Sequence, residues 1–150
     1  MKKIVIFVVV FFIFITCIFG QTADIQNGGQ FRVLGVREVI SDIDYITPDE
    51  NMRFVAFDLV IDNTNGNSDI KLGYVSGNIE VRDINGYTSR PMGWSISLVK
   101  PDLDVNANIE QGELVRGWVT IEIPENSPIN GLRIRIRTTT IQSSWITITN

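Results

Sequence analysis

Residues 52–62 read Met-Arg-Phe-Val-Ala-Phe-Asp-Leu-Val-Ile-Asp, and their alternation decides the fold class. Successive side chains of an extended chain point to opposite sides. Val55, Phe57, Leu59 and Ile61 therefore share one face, and Ala56, Asp58, Val60 and Asp62 the other. The first set is expected to face a core. A helix would scatter the same residues around its circumference, and no window of ten or more residues in the rest of the chain holds a convincing 3.6-residue period.

The same pattern repeats on both sides of this stretch. Asn63-Thr64-Asn65-Gly66-Asn67-Ser68-Asp69 is a run of turn formers that must reverse the chain. Asn-Gly, the dipeptide best suited to a type I′ hairpin turn, occurs at Asn27-Gly28, Asn65-Gly66, Asn85-Gly86 and Asn130-Gly131. Between the turns lie strand-like segments: Phe31 to Ile40, Asn78 to Asp83, a weaker Gly93 to Val99, Glu113 to Ile123, Leu132 to Arg137 and Thr140 to Thr149. Pro124 ends the strand before it, because proline has no N–H to donate to a ladder. Seven to eight short antiparallel strands separated by turns predict an all-β protein of two packed sheets.

The N-terminus has a different character. Lys2 and Lys3 precede an almost unbroken apolar run from Ile4 to Phe19, the pattern of an export signal. The run is shorter than the ~20 residues that span a bilayer comfortably. Cleavage after Gly20 is therefore expected, which leaves Gln21 first. Phe14-Ile15-Thr16-Cys17 is an imperfect lipobox and offers an alternative in which Cys17 is lipidated. In a third reading the segment stays as an uncleaved anchor and Cys17 is an apolar filler. The expected organisation is a signal segment over 1–20, a short linker over 21–30 and one β-sandwich domain over 31–150. The protein is then expected to be secreted or extracytoplasmic, with tethering to the envelope through this segment or a lipid on Cys17 as the alternative.

Charge and composition exclude whole classes of function. Without Lys2 and Lys3, thirteen Lys plus Arg become eleven against seventeen Asp plus Glu, a net charge of −6. An acidic surface argues against nucleic acid and against anionic lipid. The chain has no histidine and its one cysteine is Cys17. A Ser-His-Asp triad, a Cys-His pair, a zinc site and an internal disulfide of the domain are thereby excluded. No glycine-rich phosphate loop occurs, and no cofactor is implied.

Arg53 to Thr64, Asp83-Ile84-Asn85-Gly86-Tyr87, and Gly112-Glu113-Leu114-Val115-Arg116-Gly117-Trp118-Val119-Thr120-Ile121-Glu122-Ile123-Pro124 together carry a family resemblance. The chain resembles a widespread prokaryotic family of exported domains of unknown function, similar to the mycobacterial secreted immunoprotective antigen. The resemblance covers about Gln30 to Arg137 and implies an immunoglobulin-like β-sandwich behind an export or lipoprotein signal. It brings no catalytic motif with it.

Candidate sites are few. Arg133, Arg135 and Arg137 alternate with Leu132, Ile134 and Ile136 and form a basic stripe on one strand face. The stripe could dock a carboxylate-bearing partner or glycan. Its bland alternative is pairing with cross-strand acids such as Glu122, and all three arginines are expected to be dispensable for folding. Trp118 lies opposite Val119 and Ile121 on its strand, where a partly exposed ring could serve an interface or a sugar. Trp94 and Trp145 are expected in the core or at its rim. Asp42 with Asp44, or Asp102 with Asp104, could offer oxygens to calcium, although turn-forming aspartate is the better account of both. Carboxylate-only hydrolysis would need a pair such as two of Asp58, Asp62, Glu80 and Glu122, all of which are expected on solvated outer faces. The function that fits best is a non-catalytic module binding a protein or glycan. A structural envelope module and a carboxylate-only hydrolase are the alternatives.

Overall fold

A computed structural model describes residues 20–41, 46–72, 78–90, 98–104 and 107–149. Cys17, Trp94, Asp42 and Asp44 lie outside the described residues, as does most of the weak strand expected at Gly93 to Val99. The described residues form ten strands and no helix.

Four strands make the first sheet: β1 (Gln21–Asp24), β2 (Gln30–Val39), β3 (Met52–Asp62) and β8 (Leu114–Pro124), antiparallel in the order β1-β2-β3-β8. The second contains β5 (Ile79–Arg82), β6 (Thr88–Ser89), β9 (Arg133–Ile136) and β10 (Ile146–Thr147), antiparallel in the order β10-β9-β5-β6. A small ribbon pairs β4 (Ile70–Lys71) with β7 (Asn108–Ile109). Val55, Phe57, Leu59 and Ile61 of β3 meet Ile79, Val81, Ile134 and Ile136 of the second sheet in one apolar core. This is an immunoglobulin-like β-sandwich, and the alternation of residues 52–62 carries its inner face as expected.

Three expectations are corrected. Residues 21–30 are not a linker: Gln21 to Asp24 pair with Val33 to Gln30 as an edge strand, and Ala23 and Ile25 enter the core. The short β1 shows too little alternation to be seen in isolation. The Asn-Gly turns are not type I′, since Asn51 is the one non-glycine with positive φ among the described residues. At Asn27-Gly28 and Asn85-Gly86 the glycine alone is left-handed, at +88° and +87°. Gly28 N–H bonds Ile25 C=O while Ile25 N–H bonds Gly29 C=O, and Gly86, Asp83 and Tyr87 repeat that arrangement. Both are three-residue hairpin loops, with a type I turn closed by a left-handed glycine.

The third correction concerns β3, which is buried on its outer face too. Phe54, Ala56, Asp58 and Val60 are all at most 5% exposed. Long side chains from the flanking strands lean over this central strand. Arg116 grips Asp58 through two bonds (Nε–Oδ1 3.1 Å, Nη2–Oδ2 2.7 Å), and Arg32 reaches Asp62 at 2.9 Å. Trp118 stands opposite Asp58 in the register, with Gly35 on the far side of Asp58. Its ring edge lies 3.8 Å from where a Gly35 Cβ would be, so the indole crosses β3.

Asn63 follows the last residue of β3 and is fully buried. Its Nδ2 donates towards the carbonyls of Ser68, Ile109 and Glu110 at 2.9–3.1 Å, and its Oδ1 accepts from Asn27 Nδ2 at 2.8 Å. Asn27 in turn donates to Ser68 C=O and accepts from Gly29 N–H. Two amide side chains thus tie the 25–29 hairpin, the 63–68 turn and the strand β7 together. A Cβ on Gly66 would sit 1.8 Å from Asn63 Oδ1, so the turn tolerates no side chain there. Gly117 serves a similar purpose in β8, where a Cβ would lie 2.4 Å from Leu103 N. Its absence lets residues 101–103 lie along the β8 edge through Leu103 N–H to Trp118 C=O (2.9 Å) and Trp118 N–H to Pro101 C=O (2.8 Å).

Asn63→Ala and Gly66→Ala are each expected to cost about 2–4 kcal/mol in urea unfolding, because both leave buried polar groups without partners. The double variant should lose less than the sum, since the two act on one contact. Exposed Asn65→Ala should stay within about 0.5 kcal/mol of the parent. Equal losses in all three would show that the buried amide is not what holds this end.

Candidate functional site

The site is built on the outer face of the second sheet. In β9 the pleat turns Ile134 and Ile136 inward and Arg133 and Arg135 outward, with Arg137 following. In β5 the same alternation buries Ile79 and Val81 in the core and turns Glu80 and Arg82 outward. The antiparallel register sets Glu80 opposite Arg135 and Arg82 opposite Arg133.

Glu80 organises this face, although it was expected to be a solvated surface charge. It is 3% exposed. Arg135 donates to its Oε2 from Nε at 2.8 Å and from Nη2 at 2.7 Å. Arg90 reaches Oε1 at 3.2 Å, and Arg137 stands 3.9 Å from it. Burial pushes the Glu80 carboxyl up, but the Arg135 hydrogen bond and charge, helped by Arg90 and Arg137, outweigh it and hold the group below its ordinary value. The stripe therefore pairs with Glu80 and not with Glu122, which lies on the other sheet and accepts the Asp49 N–H. Arg135 is consequently not dispensable: removing it would strip a buried carboxylate of its main partner.

Trp145 covers the remaining arginines. It is half-buried on the outside of the second sheet, next to the inward Ile146 and Ile148. The guanidinium of Arg135 lies 4.2 Å from its ring centre, that of Arg82 5.1 Å and that of Arg133 5.6 Å. Arg82 also donates to Thr88 Oγ1 at 3.2 Å. Among the described residues, no carboxylate pairs with Arg82 or Arg133. Two like charges facing each other across a ladder repel, and the indole face beside them offsets part of that cost.

Beside Trp145 the edge of the sandwich opens into a cleft of about 430 Å³, lined in part by Asp24, Gln26, Arg135, Gln142 and Ser144. Here the sheets are joined. Ile25 bridges Ser143, and Gln26 N–H bonds Gln142 C=O at 3.1 Å. The cleft thus draws one wall from each sheet.

Trp118 does not join this constellation. It stands on the outer face of the first sheet, half-buried, with Arg37 stacked 4.8 Å from its ring centre. Arg82, Trp145 and Asp24 do not stand out as site residues in the sequence, and Glu80 stands out there only as a solvated carboxylate. The alternation of residues 143–148 and 79–82 carries a signal for Trp145, Glu80 and Arg82, but it does not say which strands are neighbours.

The four carboxylates that hydrolysis would need are each engaged, Glu122 by the Asp49 N–H. Asp58 is held by Arg116, Glu80 by Arg135, and Asp62 by Arg32 and Thr64. A general acid needs a carboxyl held protonated, hence raised. Asp62 is instead lowered, chiefly by hydrogen bonds from Thr64, and Glu80 is lowered as well. Asp102 is bound by Lys100 at 2.7 Å, and the described residues hold no group of three or more potential metal ligands.

The sequence matches the family described as domain of unknown function DUF4352 over residues 18–143. The chain belongs to this family. Among curated proteins none matches it. The solved structures include a match to MPT63, described as a secreted protein from Mycobacterium tuberculosis. It shares 12% identity and a TM-score of 0.52, covering 80% of this chain and 82% of that one. At that identity the likeness concerns the fold, and it agrees with the sandwich described above.

Stability should depend on acid titration of this DUF4352 domain in a defined direction. The folded Glu80 and Asp83 carboxyls lie below their unfolded values; burial opposes this, but Arg135 at Glu80 and the Ser127, Tyr87 and Asn85 hydrogen bonds at Asp83 prevail. Their contribution is complete above the ordinary carboxylate range of about 4 and is lost as pH falls through the depressed values. The melting temperature should therefore fall from about pH 4 downward, and Glu80→Gln should flatten that limb while lowering the melting temperature at neutral pH. An unchanged acid limb in Glu80→Gln would show that its ion pairs contribute nothing.

Proposed function

We propose that this protein is an exported, non-catalytic binding module that engages an extracytoplasmic protein or glycan through the outer face of the β10-β9-β5-β6 sheet. The observation that carries this reading is the pair Arg82 and Arg133. They face each other beside Trp145 with no carboxylate partner among the described residues, in a chain that is acidic as a whole. Arginine and tryptophan together are the side chains most enriched where partners bind tightly. Export is supported by the Lys2-Lys3 and Ile4–Phe19 pattern and by the secreted character of MPT63. Absence of histidine and the engagement of the described candidate carboxylates support a non-catalytic role. Within the original stripe, Arg133 is the residue for a partner, Arg137 lies at the margin, and Arg135 positions the others by neutralising Glu80.

Affinity capture from the host's envelope and medium should recover a ligand with the parent protein and lose it with Arg82→Ser/Arg133→Ser, whose melting temperature should stay within about 3 °C of the parent. Equal capture by the parent and the double variant would remove this face as the binding site. Capture of nothing by either would favour a structural role in the envelope.

A further inference from the structure

The proposed binding face and the neighbouring cleft share Trp145, and each brings its own chemistry. The forks of Arg82 and Arg133 stand directly opposite in register, 5.1 and 5.6 Å from the ring centre. Each planar guanidinium can grip a carboxylate through two parallel N–H donors. The cleft that Trp145 also lines presents the exposed polar side chains of Asp24, Gln26, Gln142 and Ser144. That is one carboxylate acceptor, two amides and a hydroxyl, a set suited to ligand hydroxyl groups. The volume of about 430 Å³ has room for a small ring and falls in the usual range for small-molecule sites.

We infer that this composite site takes an acidic saccharide: a uronic-acid unit whose carboxylate docks on Arg82 and Arg133, whose ring lies against Trp145, and whose hydroxyls enter the cleft. This rests on the binding reading above and names its ligand class. An acidic peptide would satisfy the arginine pair but would leave the hydroxyl-matching wall unused. A neutral sugar would satisfy the cleft but not the two like charges. A uronate uses both halves, and its negative charge relieves the repulsion between Arg82 and Arg133 locally, although the chain as a whole is acidic. Arg135, at the boundary, is already committed to Glu80 and acts as a positioning residue.

Calorimetric titration of the protein, purified as its host exports it, with trigalacturonate, its methyl ester and a short poly-glutamate tests the assignment. Trigalacturonate should bind and perturb tryptophan fluorescence. Binding should weaken at least tenfold for the methyl ester and in Arg82→Ser. In Gln142→Ala, a cleft variant without effect on the arginines, it should weaken severalfold. Ester and acid binding alike would overturn the carboxylate assignment. Poly-glutamate bound more tightly than trigalacturonate, with indifference to Gln142→Ala, would overturn the saccharide and leave the binding module standing. If no probe binds although envelope capture still depends on Arg82 and Arg133, the uronate inference alone fails. If capture ignores those arginines as well, both readings fail.

Discussion

The carboxylate of Glu80, buried on the outside of the second sheet, is the constraint on which the rest of this face depends. An isolated charge in that position would be costly, and the cost is met by spending arginine on it. Arg135 lies against Glu80 with two donors, Arg90 closes the other oxygen and Arg137 stands near. This division gives the arginines different roles, even Arg133 and Arg135, which alternate on one strand. One is structural, two are peripheral to the ion pair, and Arg82 with Arg133 stand beside Trp145 with no carboxylate partner among the described residues. The carboxylate that binds Arg135 also fixes a guanidinium 4.2 Å from the indole centre, where both side chains line the cleft.

The same logic of fully partnered polar groups appears wherever the sandwich lacks apolar cover. The described domain contains no cysteine, hence no covalent staple, and its ends are closed by side-chain hydrogen bonds. Asn63 and Asn27 join three loops at one end, and Asp83 accepts from Ser127 Oγ and two backbone N–H groups at another turn. On the outer face of β3, Asp58 is buried because Arg116 reaches over the strand to meet it. Each is a polar residue at a position where an apolar one would pack, kept because its donors or acceptors are satisfied.

How much of this could be read in advance follows from the range of each signal. Strand alternation is local, so β3 was delimited at Met52 and Asp62 to the residue, and the inner faces of β8 and β9 were identified correctly. The immunoglobulin-like architecture followed from strand number and turn spacing together with the family resemblance. Burial of polar outer-face residues is not local. Asp58 and Glu80 look like surface charges until the register brings Arg116 and Arg135 to them. The partner of the arginine stripe was placed on the wrong strand for the same reason, because an isolated strand does not say whether Glu80 or Glu122 lies across from it. Gln21 to Asp24 was passed over as a linker because its four residues show too little alternation in isolation, although Ala23 and Ile25 pack into the core. The turn type at Asn-Gly failed by a subtler margin, since the loops hold one more residue than the two-residue hairpin requires.

The central claim is that one buried carboxylate separates a structural arginine, Arg135, from its neighbour Arg133, which has no carboxylate partner among the described residues. A double-mutant cycle in urea unfolding between Glu80→Gln and Arg135→Gln, run beside one between Glu80→Gln and Arg133→Gln, measures that separation directly. The account predicts a coupling of about 2 kcal/mol for the first pair and no more than about 0.5 kcal/mol for the second. Comparable couplings for both pairs, or none for Glu80 with Arg135, would contradict it.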